Sequence, residues 1–379
     1  MAYRVRALLL GVVVLVATEA WADSAPRQPA FDENELIAGS VLALAPLDAP
    51  IPTRDEAFAL DAEMTAFVAP FAALRDPRQK LLGLIRALEE RGMFSLDYSE
   101  ITRTASGTFH DKQGNCLSFT MLFVGLARAA GLTATYQSVE VPPTWTNDGQ
   151  VVIASHVNTI VRTGRGEETT VDFNIRTYQG EQHSRRVNDA YALGLFYTNL
   201  GAEALLRGEN ARGFVYLREA ARVRPDVAGL WVNLGVLYAR YGHFEHAEAA
   251  YLRAIELDDS ERSAFANLVL VYDALGETEL AAEYRERVQG YRERNPYYHY
   301  ASAARAYEER EFAAALASVR KALRLKRDEH EFYALRGQVF AALGRSKGAT
   351  QSFQRAREYQ VLEDARSRDR VRVEGIMDP

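Results

Sequence analysis

The C-terminal half of the chain carries a pattern of apolar and small residues that recurs every 34 positions. The second unit illustrates it with Trp231, Leu234, Gly235, Tyr251 and Ala254. One small position, where the first helix of a unit meets the second, runs through the units as Gly201, Gly235, Val269, Ala303 and Gly337. Antiparallel helices approach closely only where the contact residue is small, so the pattern predicts stacked helix pairs. The five units are expected at residues 194–227, 228–261, 262–295, 296–329 and 330–363.

This pattern resembles the tetratricopeptide repeat, and the resemblance covers nearly half of the chain. It implies an all-α solenoid over residues 186–363, followed by a polar tail at residues 364–379. Repeat solenoids present an extended concave surface, so the resemblance also implies that the array binds a protein or peptide partner.

The fourth unit departs from the pattern and contains three tyrosines of interest. His299 stands at an aromatic position, and Arg310 stands where a turn glycine is expected. By repeat position, Tyr297, Tyr300 and Tyr307 are expected to face the concave groove. Aromatic rings supply a large contact area at a low cost in entropy, which makes these three candidates for anchoring a peptide. The alternative is an irregular repeat in which the tyrosines pack together.

The apolar spacing of the N-terminal half changes along the chain instead of repeating. Helical spacing runs over residues 55–91, with interruptions expected at Pro70 and Pro77. A long apolar helix follows, from an N-cap at Asn115 to a stop at Gly131. Two alternating strands are then expected at residues 151–161 and 169–175, joined by a hairpin turn at residues 163–166.

Cys116, the only cysteine of the chain, lies in the first turn of that apolar helix. Free N–H groups and partial positive charge at a helix N-terminus stabilise a thiolate over a thiol. Because the thiolate is the nucleophilic form, this position is typical of a catalytic cysteine. A buried cysteine that acts only as a small apolar residue is the alternative.

The two strands carry the groups that a nucleophilic thiol needs. His156 and Asp172 each lie on the polar face of a strand and are followed two positions later by an asparagine. A histidine beside the thiol can accept its proton, and an acid can hold the imidazole in the required tautomer. Cys116, His156 and Asp172 are therefore the predicted nucleophile, base and orienting acid. For Asp172, pairing with a neighbour such as Arg176 is the structural alternative.

These residues fall within motifs that resemble the transglutaminase-like branch of the papain-type cysteine enzymes. The resemblance covers residues 76–176 and includes the His-Val-Asn strand, the Val-Asp-Phe strand and the motif Gly114-Asn115-Cys116-Leu117-Ser118. It implies an α+β fold with a papain/transglutaminase-like core over residues 23–185. It also implies the catalytic roles of the cysteine, histidine and aspartate.

The sequence departs from the animal-type enzymes of this family beside the base. Val157 and Asn158 follow His156, where those enzymes have a tryptophan or tyrosine, so the choice between water and an amine as acyl acceptor stays open. Gln113, three residues before the thiol, is a candidate oxyanion donor. Trp145 is either a wall of the cleft or a packing residue on a loop.

Composition and charge narrow the classes of function. The chain has 379 residues, with 45 Lys and Arg against 51 Asp and Glu and a formal net charge of −6. This balance gives no basic footprint for a nucleic-acid partner, and one cysteine can form neither an internal disulfide nor a cysteine-rich metal site. The sequence has no phosphate-binding glycine loop, and His243 and His246 are expected to be solvated. No cofactor and no metal is therefore expected.

The start of the chain has the features of an export signal. A short basic segment precedes an apolar stretch at residues 7–17, and Ala20-Trp21-Ala22 has the small-x-small pattern of a signal-peptidase site. We therefore expect a signal peptide at residues 1–22, cleavage after Ala22 and a periplasmic or secreted protein. An uncleaved membrane anchor is the alternative.

Two functions fit these features. The first is an exported cysteine-dependent amide or peptide hydrolase, or an acyl-transferase, whose repeat array recruits a protein partner. The second is a non-catalytic envelope adaptor whose repeats mediate protein–protein interaction. The substrate, the identity of the partner and the oligomeric state are left open by the sequence.

Overall fold

The computed structural model describes residues 30–47, 49–92, 101–140, 144–145, 151–152, 155–164, 166–172, 184–259 and 261–371. The expected signal peptide at residues 1–22 and the alternative Asp172 partner, Arg176, lie outside these ranges. Within them, a region of helices and strands precedes an all-helical array. Among the helices described, none combines the length and apolar character needed to cross a membrane.

Six helices are described in the part of the chain before the sheet. They are α1 (Glu33–Ala38), α2 (Arg54–Phe58), α3 (Ala62–Ala72), α4 (Pro77–Glu90), α5 (Ala105–Asp111) and α6 (Cys116–Ala129). A Thr, Asp or Asn side chain caps each N-terminus by accepting a hydrogen bond from a backbone N–H. Pro77 begins α4 as expected, whereas Pro70 lies inside α3 and does not interrupt it. Because α3 ends soon afterwards, the proline affects only its last turn.

The described strands form a four-stranded antiparallel sheet and a separate two-stranded pair. They are β1 (Thr133–Glu140), β2 (Thr144–Trp145), β3 (Val151–Val152), β4 (Ser155–Arg162), β5 (Glu168–Val171) and β6 (Ser184–Val187). The larger sheet has the order β5-β4-β1-β6, and β2 pairs with β3. The hairpin predicted at residues 163–166 is the β4–β5 connection, where the Thr163 N–H donates to the Glu167 carbonyl at 3.0 Å.

Helix α6 packs against β1 and β4 and brings the predicted cysteine helix onto the predicted histidine strand. Its apolar side is buried, as Phe123 illustrates, and it belongs to the same core as the buried residues Tyr136 of β1 and Val161 of β4. The Thr120 hydroxyl also donates to the Val157 carbonyl at 2.9 Å. Apolar burial and this hydrogen bond together fix the helix on the sheet.

Residues 184–371, as far as they are described, contain ten helices in five antiparallel pairs, as the repeat pattern predicts. They are α7 (Asp189–Leu206), α8 (Asn210–Val223), α9 (Ala228–Arg240), α10 (Phe244–Leu257), α11 (Arg262–Leu275), α12 (Thr278–Arg294), α13 (Pro296–Glu308), α14 (Phe312–Leu325), α15 (His330–Ala342) and α16 (Ser346–Val371). A Cβ on Gly235 would lie 2.4 Å from the Tyr251 ring, so this position lets the two helices approach closely.

The turns between paired helices share a left-handed residue. Four of them use glycine, with φ between 71° and 77°, at Gly208, Gly242, Gly276 and Gly344. Arg310 takes the same conformation in the fourth pair, with φ of 62°. The departure expected in the fourth unit is therefore a change of residue and not of backbone geometry.

The two ends of the array compare differently with the predicted solenoid at residues 186–363. Helix α7 begins at Asp189, inside that range and ahead of the first repeat unit predicted at residue 194, because the Asn188 side chain caps it. Helix α16 continues to Val371, into the segment predicted as a polar tail. The added residues of α16 are mostly polar and compatible with a helix. Because they do not continue the apolar pattern, a boundary predicted from that pattern falls before them.

One apolar core runs from the N-terminal helices into the third repeat, and a second serves the last two repeats. The first includes Leu36 of α1, Phe123 of α6 and Trp231 of α9. The second includes Val319 of α14 and Phe332 of α15. The Cys116 region and the first three repeats therefore share a core, whereas the fourth and fifth repeats pack around their own.

The segment around α1 folds back onto the second repeat. The Tyr238 hydroxyl donates to the Leu36 carbonyl at 2.6 Å, and the Phe31 ring stacks on His246 with 3.7 Å between centroids. His246 was expected to be solvated, but it lies half-buried between Phe31 and Tyr238. The physical reason is a contact between residues about two hundred positions apart, which local spacing does not reveal.

Candidate functional site

Cys116 is the first residue of α6 and is half-buried. As predicted, Asn115 is the N-cap: its Oδ1 accepts the Ser118 N–H at 3.0 Å and the Ser118 hydroxyl at 2.9 Å. A Cβ on Gly114 would lie 2.8 Å from the Ser118 Cβ, so a side chain at Gly114 would disturb this first turn. The turn that presents the thiol is thus determined by three neighbours of Cys116.

His156 and Asp172 meet on the sheet beside α6. Their side chains are 4% and 12% exposed, and His156 Nε2 lies 2.6 Å from Asp172 Oδ2. The strand register explains the meeting, because Thr159 of β4 pairs with Val171 of β5 and Asp172 follows directly. Asn158 adds a second donor, from Nδ2 to the same carboxylate oxygen at 3.1 Å. A buried carboxylate with two donors is held in one orientation.

The charge state of His156 follows from its neighbours. Burial opposes protonation, but hydrogen bonds and attraction from Asp172 and Cys116 outweigh it and raise the pKa of His156 to about 10. The imidazole is therefore protonated at neutral pH, and its Nε2–H donates to Asp172. Because Asp172 engages Nε2, Nδ1 is the ring nitrogen left to interact with the Cys116 thiol.

The structure brings Cys116, His156 and Asp172 together in one half-buried site. An imidazolium ion beside a thiol can supply a proton to a leaving group. Gln113 is exposed and, within the described part of the chain, its side chain has no hydrogen bond that would orient it as an oxyanion donor. Among the described residues, no cluster of His, Cys, Asp and Glu is suited to a metal ion.

The three tyrosines of the fourth unit pack inside the array. Their centroid distances are 5.6 Å for Tyr297–Phe332, 4.9 Å for Tyr300–Phe332 and 5.6 Å for Tyr307–Phe312. Tyr297 also donates to Glu329 and accepts from Lys326, both at 2.8 Å. All three are partly buried in the second core. This arrangement matches the packing alternative more closely than a peptide anchor.

A further group of candidate binding residues, which the apolar pattern did not indicate, is a row of asparagines on the repeats. Asn199, Asn233 and Asn267 occupy the same position of the first three repeats, at the 34-residue spacing. Each stands two residues before the small position that faces the second helix, where Gly201 and Gly235 meet that helix. Two residues correspond to about 200° of helical rotation, so the asparagines lie on the opposite face. The repeat register, applied to polar residues, is the signal that identifies them.

These three asparagines lack the hydrogen-bond partners that polar side chains in a protein core usually have. Each is half-buried, and none of the three side chains makes a hydrogen bond within the described part of the chain. The same face one turn later carries Ala202 and Val236, both half-buried, and Leu270, which is 67% exposed. One face of α7, α9 and α11 thus combines a row of free amides with small and apolar side chains.

Comparisons with known proteins match the repeats. The tetratricopeptide repeat family model matches residues 228–260. A TPR repeat-containing protein of Pseudomonas aeruginosa is 34% identical over 90 residues, which cover 24% of this chain and 37% of that protein. The chain therefore contains a tetratricopeptide repeat region, as predicted, and spans little more than a third of that relative's length.

Solved structures of repeat proteins also resemble the chain. MamA from Desulfovibrio magneticus RS-1 is 19% identical, with a TM-score of 0.25, over 45% of this chain and 97% of that one. YrrB, named as a TPR protein with an unusual peptide-binding site, is 15% identical, with a TM-score of 0.26, over 46% of this chain and 92% of that one.

Proposed function

We propose that this chain is a protein-binding repeat protein whose array holds an extended segment of a partner. The family match supports an interaction role for the array more directly than it supports an enzyme, because tetratricopeptide repeats generally bind proteins or peptides. The observation that carries the proposal is the row of half-buried amides at Asn199, Asn233 and Asn267, which have no hydrogen-bond partner among the described residues.

The amide row suits a peptide main chain. An asparagine side chain offers a carbonyl acceptor and an N–H donor side by side, which matches the donor and acceptor of one peptide unit. The neighbouring Ala202, Val236 and Leu270 would contact apolar side chains of the same segment. The partner is therefore expected to be extended and to be recognised through its backbone and apolar residues rather than through its charge.

A peptide selected by display against the full chain tests this proposal. The triple variant Asn199→Ala, Asn233→Ala, Asn267→Ala should weaken its binding by roughly 100-fold, since each lost hydrogen bond costs about 1 kcal/mol. N-methylation of the peptide should weaken binding at some main-chain positions for the same reason. Gln289→Ala with Gln354→Ala, exposed amides on second helices, is the matched control and should leave the affinity unchanged. Equal affinity for the triple variant would refute the amide row as the binding surface.

A second function is favoured by the geometry at Cys116. We infer that the chain also carries out cysteine-dependent hydrolysis or acyl transfer at an amide or peptide bond, in keeping with its resemblance to the transglutaminase-like enzymes. The supporting observation is the largely buried His156–Asp172 contact at 2.6 Å, beside which Cys116 also helps to raise the pKa of His156. An exported protein fits this function, because the predicted signal peptide would deliver the enzyme to envelope proteins.

The chemistry follows from the three side chains. The Cys116 thiolate attacks the carbonyl carbon, and the C–N bond breaks as His156 gives its proton to the leaving amine. A thioester to Cys116 results. Water or an amine then attacks this thioester, His156 takes the proton of the attacking group, and the thiolate is released. Asp172 keeps the imidazole oriented through both steps.

The rate of Cys116 alkylation distinguishes the proposed enzyme from a non-catalytic adaptor. Because Cys116 is the only cysteine, iodoacetamide labels one site, and Cys116→Ser gives the background. The folded protein should react faster at pH 6 to 7 than the same chain unfolded in urea, and His156→Gln should remove the difference. Identical rates for the folded and unfolded chains would contradict the proposed enzyme and would support only the adaptor function.

Fractionation of cells and N-terminal sequencing of the mature protein test export and cleavage after Ala22.

A further inference from the structure

A chain of hydrogen bonds joins the first repeat to the first turn of α6. The Thr102 N–H donates to Glu203 Oε1 of α7 at 2.8 Å, and Asn115 Nδ2 donates to the Thr102 hydroxyl at 2.7 Å. The Ser118 N–H then donates to Asn115 Oδ1 at 3.0 Å. The same asparagine side chain therefore caps α6 with its oxygen and is tied through its nitrogen to the repeat array.

This connection is buried and partly ionic. Thr102, Asn115 and Ser118 are all buried, and the Glu203 side chain is 17% exposed. A hydrogen bond from a backbone N–H to a carboxylate is stronger than one between neutral groups. Loss of Glu203 would leave the Thr102 N–H buried without this acceptor, which carries a desolvation penalty. The position of Thr102 thus depends on a residue of the first repeat.

We propose that Glu203 is a positioning residue for Cys116. It does not contact the thiol, and it acts by holding Thr102, which in turn orients the cap residue Asn115. Cys116 is the first residue after that cap, so a rotation of the Asn115 side chain displaces the thiol relative to His156. The proposal rests on the proposed cysteine chemistry and assigns part of its geometry to the repeat array.

The place of Glu203 on α7 links the two candidate functions. Glu203 follows Asn199 by four residues, so the two side chains lie one turn apart on the same side of the helix. A partner segment held by Asn199 would therefore lie beside the carboxylate that positions Thr102. Its second oxygen, Oε2, faces Arg207 at 3.9 Å, which leaves Oε1 for the Thr102 N–H.

The test compares Glu203→Ala with Glu203→Gln. The rate of Cys116 alkylation by iodoacetamide is measured from pH 5 to pH 10, together with the melting temperature of each variant. Glu203→Ala should slow alkylation at pH 6 to 7 by about tenfold and change the pH profile, because the charged hydrogen bond from the Thr102 N–H is lost. Glu203→Gln retains an acceptor and should recover most of the rate. Glu209→Ala, an exposed acid of the same repeat, is the control and should match the wild type.

A second variant tests the middle of the connection. Thr102→Val removes the hydroxyl that accepts from Asn115 and keeps the backbone N–H bonded to Glu203, and it should slow alkylation as Glu203→Ala does. If either variant has a lower melting temperature but keeps the wild-type pH profile, Glu203 has only a structural role. That result would overturn the proposal. The proposed enzyme would then stand, because the wild type would still react faster than its unfolded chain. Equal rates for the folded and unfolded wild type would overturn both.

Discussion

The ionisable side chains near Cys116 are joined by hydrogen bonds, whereas a row of asparagines along the repeats has none within the described chain. His156 and the Asn158 Nδ2 both bond to the Asp172 carboxylate in a largely buried setting, in which the Asn158 Oδ1 alone of these groups lacks a partner among the described residues. Asn199 and its equivalents in the next two repeats are half-buried and unbonded. A buried polar group without a partner is costly, so a partnered network organises the protein itself. Half-accessible amides that keep their hydrogen-bonding capacity are available to another molecule instead.

Breaking the partnered network should have the largest effect. Asp172→Asn keeps the shape of the side chain, but it presents an N–H or a neutral oxygen to His156 in place of a carboxylate. Because a neutral amide stabilises the His156 cation and fixes the orientation of its ring less well than a carboxylate does, turnover on an amide substrate should fall by about 10² to 10⁴. Alkylation of Cys116 at pH 6 to 7 should slow as well. Both rates are measured on the folded fraction.

The matching control concerns stability. If Asp172 served only to pair with a neighbouring arginine, Asp172→Asn would lower the melting temperature and leave the alkylation rate per folded molecule unchanged. The triad prediction requires the reverse: a small change in melting temperature and a large change in rate. Measuring both on one preparation distinguishes the two roles.

The two regions also differ in how far local sequence predicts them. The cap at Asn115, the hairpin after β4 and the five helix pairs depend on neighbouring residues, and the structure contains all of them. Their signals are short-range: a cap, a turn and a 34-residue spacing. The continuation of α16 was missed because its added residues are polar, and a boundary drawn from apolar spacing does not detect them.

Contacts between distant parts of the chain were not predictable from spacing. Tyr300 stacks on Phe332 of the next repeat, and Thr102 donates to Glu203, which is 101 positions away. Neither pairing leaves a pattern in a single sequence. His156 and Asp172 are also distant from Cys116 in the chain, and they were identified because the chemistry of a nucleophilic thiol requires such groups. The structure places His156 Nε2 2.6 Å from Asp172 Oδ2, a contact that periodicity alone does not reveal, and the catalytic role of the two residues stays a prediction.

The pH dependence of unfolding should give the next largest effect. The pKa of His156 is raised from 6.5 to about 10, so its contribution to the free energy of unfolding is complete below pH 6.5 and is lost as the pH rises towards 10. The wild type should therefore lose a few kcal/mol of stability across this range relative to His156→Gln. Urea denaturation at pH 6, 8 and 10 measures the difference. Parallel curves for the two proteins would show that His156 is not held as a cation.

Substitution of the small residues in the array should have a smaller effect on the free energy of unfolding. The size of this effect should depend on how freely the neighbouring aromatic ring can move. A Cβ on Gly235 would lie 2.4 Å from Tyr251, which is fully buried, whereas one on Gly337 would lie 2.6 Å from Phe353, which is exposed. Gly235→Ala should therefore destabilise the protein by about 2 kcal/mol, because overpacking exceeds the gain in helix propensity. Gly337→Ala should be close to neutral, because Phe353 can rotate away.

The two alanine variants also test the division of the core. Gly235 belongs to the repeats that share a core with the Cys116 region, so Gly235→Ala should accelerate hydrogen exchange in α6 as well as in α9. Gly337 lies in the fifth repeat, which packs in the second core, so any change caused by Gly337→Ala should stay within α13 to α16. Exchange that spreads equally from both positions would mean that the array unfolds as a single unit.

The smallest predicted effect lies at the turn of the fourth repeat. Arg310 adopts φ of 62°, a conformation that costs an L-residue about 1 kcal/mol or more, and the equivalent residues of the other repeats are glycines. Glycine also loses more backbone entropy on folding, by roughly 0.5–1 kcal/mol, which offsets part of the gain. Arg310→Gly should therefore stabilise the last two repeats by about 0.5 kcal/mol. Gly276→Arg, the reverse change in the third repeat, should destabilise by a similar amount, and alkylation of Cys116 should stay at the wild-type rate for Arg310→Gly. A loss of stability in Arg310→Gly would mean that the arginine side chain contributes more to the turn than its strained backbone costs.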